Sequence, residues 1–205
     1  SNFISAHRMN HRLFFFLMCL LTARFALSEV TDTVTSDAQI YIVGDTTSQT
    51  IISSRNASKQ INPGPLVKLM SIYVIFDSLQ SGAIDLGDEV EISSAAASTS
   101  GTRMFLTSGD KISVNRLIKA TVISGANDAT LALVEAVAGT ETNFVAIMNQ
   151  HAKSIRLTDS KFTSALGYNN NSQFTTASDL YQLAYSLLLR FPEYYSYFAE
   201  REFTY

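Results

Sequence analysis

Hydrophobic positions recur at Leu66, Leu69, Met70, Tyr73 and Phe76, at spacings of three and four that place them along one side of a helix continuing to Leu79. Asn62-Pro63-Gly64-Pro65 leads into it, and proline suits a first helical turn, where its absent N–H would have no partner anyway. Gly82 ends the helical region. Upstream, Ala38-Gln39-Ile40-Tyr41-Ile42-Val43 and Thr50-Ile51-Ile52-Ser53 are strand candidates separated by the turn-prone Gly44 to Ser48, which predicts an antiparallel hairpin. Downstream, Glu89 to Ile92 alternates as a short strand after a Gly87-Asp88 turn, and the small, polar Ser93 to Gly101 predicts a surface loop.

The remainder reads as helices. Ser113 can cap one through Arg116, Leu117, Ile118 and Val122, broken at Ser124-Gly125-Ala126 and restarted by Asn127-Asp128 as far as Gly139. Thr140 or Thr142 caps the next, which carries Phe144, Ile147, Met148, His151 and Ile155. Thr176-x-x-Asp179 opens the last in the manner of a capping box, with Leu180, Leu183, Ala184, Leu187 and Leu188 before Pro192. No internal repeat or low-complexity linker interrupts the pattern. A hairpin followed mostly by helices predicts the α+β class.

Composition narrows this picture. The 205 residues, 46% hydrophobic, suffice for one domain with its own core. A net charge of −3 and the lack of any Lys/Arg-rich run exclude a nucleic-acid surface. His11-Arg12, the apolar run Leu13 to Leu21 and the small-x-small Ala26-Leu27-Ser28 make Met9 to Ser28 a secretory signal peptide. An uncleaved N-terminal anchor is the alternative, since Arg24 interrupts the cleavage region, and Ser1 to Arg8 read as residues upstream of the true start. The expected organisation is therefore residues 1–28 as leader and 29–205 as domain.

Cys19, the single cysteine, lies inside the leader behind the bulky Met18, so the exported chain is expected to contain no disulfide, thiol nucleophile or cysteine-bound metal. His7 and His11 also belong to the leader region, leaving His151 alone. One histidine cannot furnish a His-rich zinc site, and His151 reads as a structural side chain. No metal and no cofactor are expected.

Chemistry concentrates at Lys68, one helical turn after Pro65. Serine acyl enzymes carry Ser-x-x-Lys at this spacing, the lysine taking the proton of the hydroxyl beside it, and here the hydroxyl is absent. Ser71 lies one turn beyond Lys68, on the wrong side of the motif. The other Ser-x-x-Lys, Ser108-Gly109-Asp110-Lys111, is interrupted by a turn signal and reads as coincidence. Asn127 can serve as a helix N-cap or contact a substrate amide, and the two roles are compatible. Asp128 and Asp179 read as first-turn helix charges.

From Ile40 onward the chain resembles the penicillin-binding, low-molecular-mass D-alanyl-D-alanine carboxypeptidases. The resemblance rests on ordered segments: Asn56-Ala57, Pro63-x-x-Leu66-x-Lys68, Met104-Phe105-Leu106 with Gly109, Leu117-Ile118 followed by Asn127-Asp128-Ala129, Phe162-x-x-x-x-Gly167, Thr176-Ala177-x-Asp179, and Glu202-Phe203-Thr204. It implies a penicillin-binding/β-lactamase-like transpeptidase fold, outside the cytoplasm, acting on peptidoglycan stem peptides ending in D-Ala-D-Ala and trapped by β-lactams. In the family a serine attacks, the lysine three residues on activates it, a Ser-x-Asn loop assists, and a later Lys-Thr-Gly strand holds the substrate carboxylate.

Three departures shape the expectation. Pro65 stands at the nucleophile position; Gly125 stands where the family has the serine of Ser-x-Asn, with Ser124 adjacent; and no Lys-Thr-Gly occurs before Tyr205. The expected product is an incomplete domain of reduced stability, its hairpin unsupported by further strands, and a carboxypeptidase homologue without acyl transfer. Lys68 as candidate base, Ser124 as displaced nucleophile and Asn127 as substrate contact are the site residues. The alternatives are a non-catalytic module that binds stem peptides, or a weak carboxypeptidase using a displaced serine.

Overall fold

The helix announced by the hydrophobic spacing is the centre of the computed structural model, which describes residues 36–168 and 172–202. The proposed leader, Phe203 and Thr204 lie outside the described residues. A 3₁₀ turn, Gly64–Val67, delivers the chain into helix α1, Lys68–Gln80. Its burial is broader than one face: Met70, Ser71, Ile72, Tyr73, Val74, Ile75 and Phe76 are all buried, whereas Leu66, at the start of the expected stripe, is 49% exposed. Periodicity foresaw an amphipathic helix, but three later helices pack around this one, and a helix apolar on all sides becomes a core element.

The hairpin is present as β1, Tyr41–Asp45, and β2, Thr50–Arg55, antiparallel with Tyr41 opposite Arg55 and a register shift between Val43 and Gly44. The Asp45 carboxylate closes the turn by accepting the N–H groups of Thr47 and Ser48 at 2.7 and 3.2 Å. Gly44 permits the hairpin to lie against Tyr181, since an added Cβ would come within 2.5 Å of that phenol.

A second antiparallel pair joins β3, Glu89–Glu91, to β4, Lys111–Ser113, with Val90 opposite Ile112. At three residues β4 is too short for alternation to reveal. The loop expected over Ser93 to Gly101 contains a helical turn, α2, Ser94–Ala97. Ser93 caps it by accepting the Ala96 N–H at 2.9 Å, and Ala96 is fully buried, so the small residues there fill core space.

The helical half follows the predicted caps. Ser113 caps α3, Val114–Lys119, which runs on as a π-helical segment, Ala120–Ser124, and stops at Gly125 with φ of 66°. Then come α4, Asn127–Ala138, and α5, Glu141–Ser154, capped by Thr140 rather than Thr142. Next are α6, Ala177–Arg190, with the Thr176 hydroxyl accepting the Asp179 N–H, and the short α7, Ser196–Ala199. His151 on α5 lies 3.4 Å from Asp77 of α1, its ring against Tyr73, and Asp77 also pairs with Arg190 of α6. Three helices are thereby tied at one carboxylate.

Candidate active-site cleft

A cleft of about 540 Å³ opens between the start of α1, the break before α4 and the 166–168 loop. Pro65, Lys68, Ser124 and Asn127 all line it, so the four positions singled out from the sequence, up to 62 residues apart, converge. Pro65 sits in the 3₁₀ turn and Lys68 opens α1 one turn later. Ser124 ends the π-helical segment and is exposed, with the left-handed Gly125 beside it.

The Lys68 ammonium donates to the Leu166 carbonyl oxygen at 2.8 Å. Burial pushes its pKa below the ordinary lysine value. Ser71 is fully buried and donates to the Ala165 carbonyl at 2.8 Å, away from the cleft. Both side chains therefore anchor one strip, residues 165–167. Gly167 ends that strip with φ of 84°, where a Cβ would lie 2.2 Å from the Gly64 carbonyl oxygen. Only a glycine lets this wall approach the turn that carries Pro65. Ser108 hydrogen-bonds to Ser94 at 3.1 Å and Lys111 stands in β4, so that second Ser-x-x-Lys is no catalytic pair.

Asn127 is not the cap of α4; Ala126 occupies that position. The Asn127 backbone N–H instead donates to the Thr102 carbonyl at 2.7 Å, and its side-chain amide donates to the Ser100 carbonyl at 2.6 Å. Its Oδ1 is buried with no hydrogen-bond partner among the described residues. The neighbouring Asp128, expected as a first-turn charge, is fully buried, and its carboxylate accepts the N–H groups of Met104 and Leu106 at 3.0 and 3.1 Å. Asp179 does similar work, accepting from the Asp159 N–H at 2.9 Å and the Ser160 hydroxyl at 2.6 Å. No local pattern announces partners about 20 residues away. Thr121, Tyr168 and Phe198 also line the walls and were equally illegible, although the sequence pattern Phe162-x-x-x-x-Gly167 had marked their neighbour Gly167.

The arrangement is an apolar-walled slot that presents the Lys68 amine and the exposed Ser124 hydroxyl, with the exposed Thr102 and Tyr168 also on its walls. Among the described residues no three His, Cys, Asp or Glu side chains gather as a metal site.

A sequence model of the D-alanyl-D-alanine carboxypeptidase family matches residues 27–205. The chain belongs to this family. It is 33% identical to D-alanyl-D-alanine carboxypeptidase DacC of Escherichia coli K12 over 93% of this chain and 49% of that one. The crystal structure of carboxypeptidase DacD from Francisella tularensis superposes with a TM-score of 0.79 at 33% identity, over 82% of this chain and 40% of that chain. Penicillin binding protein 5 from Haemophilus influenzae gives 0.79 at 30% identity, over 82% and 50%. The chain thus spans half or less of these proteins, and its α+β fold corresponds to part of the solved structures.

Proposed function

We propose that this chain is a carboxypeptidase homologue that has lost acyl transfer while its cleft keeps the capacity to hold peptidoglycan stem peptides ending in D-Ala-D-Ala. One observation carries the reading: one turn before Lys68, where the family's nucleophilic serine belongs, Pro65 lines the cleft with neither hydroxyl nor N–H. Removing the serine from such a concerted set costs on the order of 10⁶ in kcat. Lys68, deprived of an alcohol to deprotonate, donates instead to a backbone carbonyl. It remains a cation lining the cleft and suited to a carboxylate. The proposed stem-peptide substrate and the leader expected at Met9 to Ser28 both support a location outside the cytoplasm.

The test is incubation with a fluorescent penicillin followed by denaturing electrophoresis, together with calorimetric titration of a D-Ala-D-Ala pentapeptide. No covalent label and saturable, stereoselective peptide binding are expected. A label, or release of D-alanine, overturns the loss of acyl transfer; absence of binding overturns the retained recognition. A second reading, a weak carboxypeptidase using Ser124, draws support from the exposed Ser124 hydroxyl in the same cleft as Lys68. It requires D-alanine release that disappears in Ser124→Ala.

A further inference from the structure

A buried carboxylate holds an exposed aromatic ring in a backbone conformation that side-chain-bearing residues avoid. Phe105 has φ of 63° and is 76% exposed, the most exposed large hydrophobic side chain among the described residues. A Cβ in the left-handed region is costly, and such conformations persist where the surroundings enforce them. The enforcement is visible on both sides: the Met104 and Leu106 N–H groups converge on the Asp128 carboxylate. Just upstream, the Ser100 and Thr102 carbonyls accept from Asn127. Residues 100–106 are therefore stitched to the first turn of α4, leading from the cleft wall at Gly101 and Thr102 out to Phe105. A fold that buries a charge to hold a phenyl ring in water invites a ligand for that ring.

The ring's surroundings define the ligand. The Arg103 guanidinium lies over it, 5.0 Å from the centroid, with no ion pair among the described residues and a buried Nε lacking a hydrogen-bond partner. Thr102, Thr107, Ser108 and Gly109, its near neighbours in sequence, are exposed and small or polar. As the one exposed large hydrophobic of residues 100–109, the ring does not make the apolar core that a protein partner of ordinary interface size requires. It suits a pyranose, whose C–H face packs on the open side of an aromatic ring while the guanidinium donates to hydroxyl, acetamido or carboxylate oxygens.

We infer that Phe105 and Arg103 form a sugar-stacking site for the glycan strand that bears the stem peptide. The identity of the sugar rests on the peptidoglycan reading above, whereas the platform itself does not.

The experiment titrates the full chain with an N-acetylglucosamine tetramer and with glycan strands stripped of peptide, followed by calorimetry and by NMR. Saturable binding is expected, lost by about tenfold or more in Phe105→Gly, retained in Phe105→Trp and weakened in Arg103→Gln. Phe105→Gly should also hold or raise the melting temperature, because glycine accepts the positive φ, which separates lost binding from lost structure. A wild type without saturable glycan binding, or a Phe105→Gly variant that binds as tightly as wild type, overturns the inference. The pentapeptide titration is read in parallel: peptide binding lost with glycan binding intact defeats only the stem-peptide reading, and the converse defeats only this one.

Discussion

The ammonium of Lys68 sits 2.8 Å from the carbonyl oxygen of Leu166, which is the hydrogen bond left to a lysine whose expected alcohol partner is a proline. Pro65→Ser returns a hydroxyl one turn from that amine. The variant should acquire slow covalent labelling by fluorescent penicillin that wild type lacks. Labelling should rise with pH, because only neutral Lys68 can take the proton, and should do so below the ordinary lysine value of 10.5, since burial lowers its pKa. Electrophoresis after labelling at a series of pH values reads the outcome; an unlabelled variant throughout would show that the missing oxygen is not the sole lesion.

Asp77 joins His151 and Arg190, and the His151 pKa is lowered chiefly by burial, partly opposed by Asp77 and assisted by Arg190. A histidine depressed in the folded state binds fewer protons there than in the unfolded chain. Its contribution is therefore fully present above the unfolded value of about 6.5 and is lost as pH falls towards the folded pKa. His151→Gln should accordingly lose less stability than wild type between pH 7.5 and pH 5, measured by urea unfolding at each pH.

Asp128 accepts two backbone N–H groups from a fully buried position. Asp128→Ala strands both donors and should cost about 3 kcal/mol, with faster amide exchange at Met104 and Leu106. Denaturant unfolding and hydrogen exchange report the two effects separately. If exchange there is unchanged, the carboxylate is not what holds the 100–106 strap.

Gly167 approaches Gly64 too closely for a side chain. Gly167→Ala meets both a backbone clash and a positive φ of 84°, and should cost about 2 kcal/mol or more while weakening peptide binding. Ala at Gly87, where a Cβ meets nothing within 4 Å, should change neither and serves as the control. Calorimetric melting and the pentapeptide titration distinguish them.

Much of this was legible along the chain. The caps Ser113, Thr140 and Thr176 act between residues three apart, and the breaks at Gly82, Gly125 and Gly139 all have positive φ, so local sequence suffices for them. The spacing of Pro65 and Lys68 was likewise readable, because a helical turn converts three residues into adjacency. What only the tertiary structure decided are the encounters between distant segments. These include the burial of α1 on every side, the Lys68–Leu166 and Ser71–Ala165 bonds across more than 90 residues, the tether from Asn127 and Asp128 to residues 100–106, and the exposure of Phe105. Local pattern records which residues share a turn or a face; it carries no record of which backbone carbonyl or N–H a buried polar group will meet once the core has closed around it.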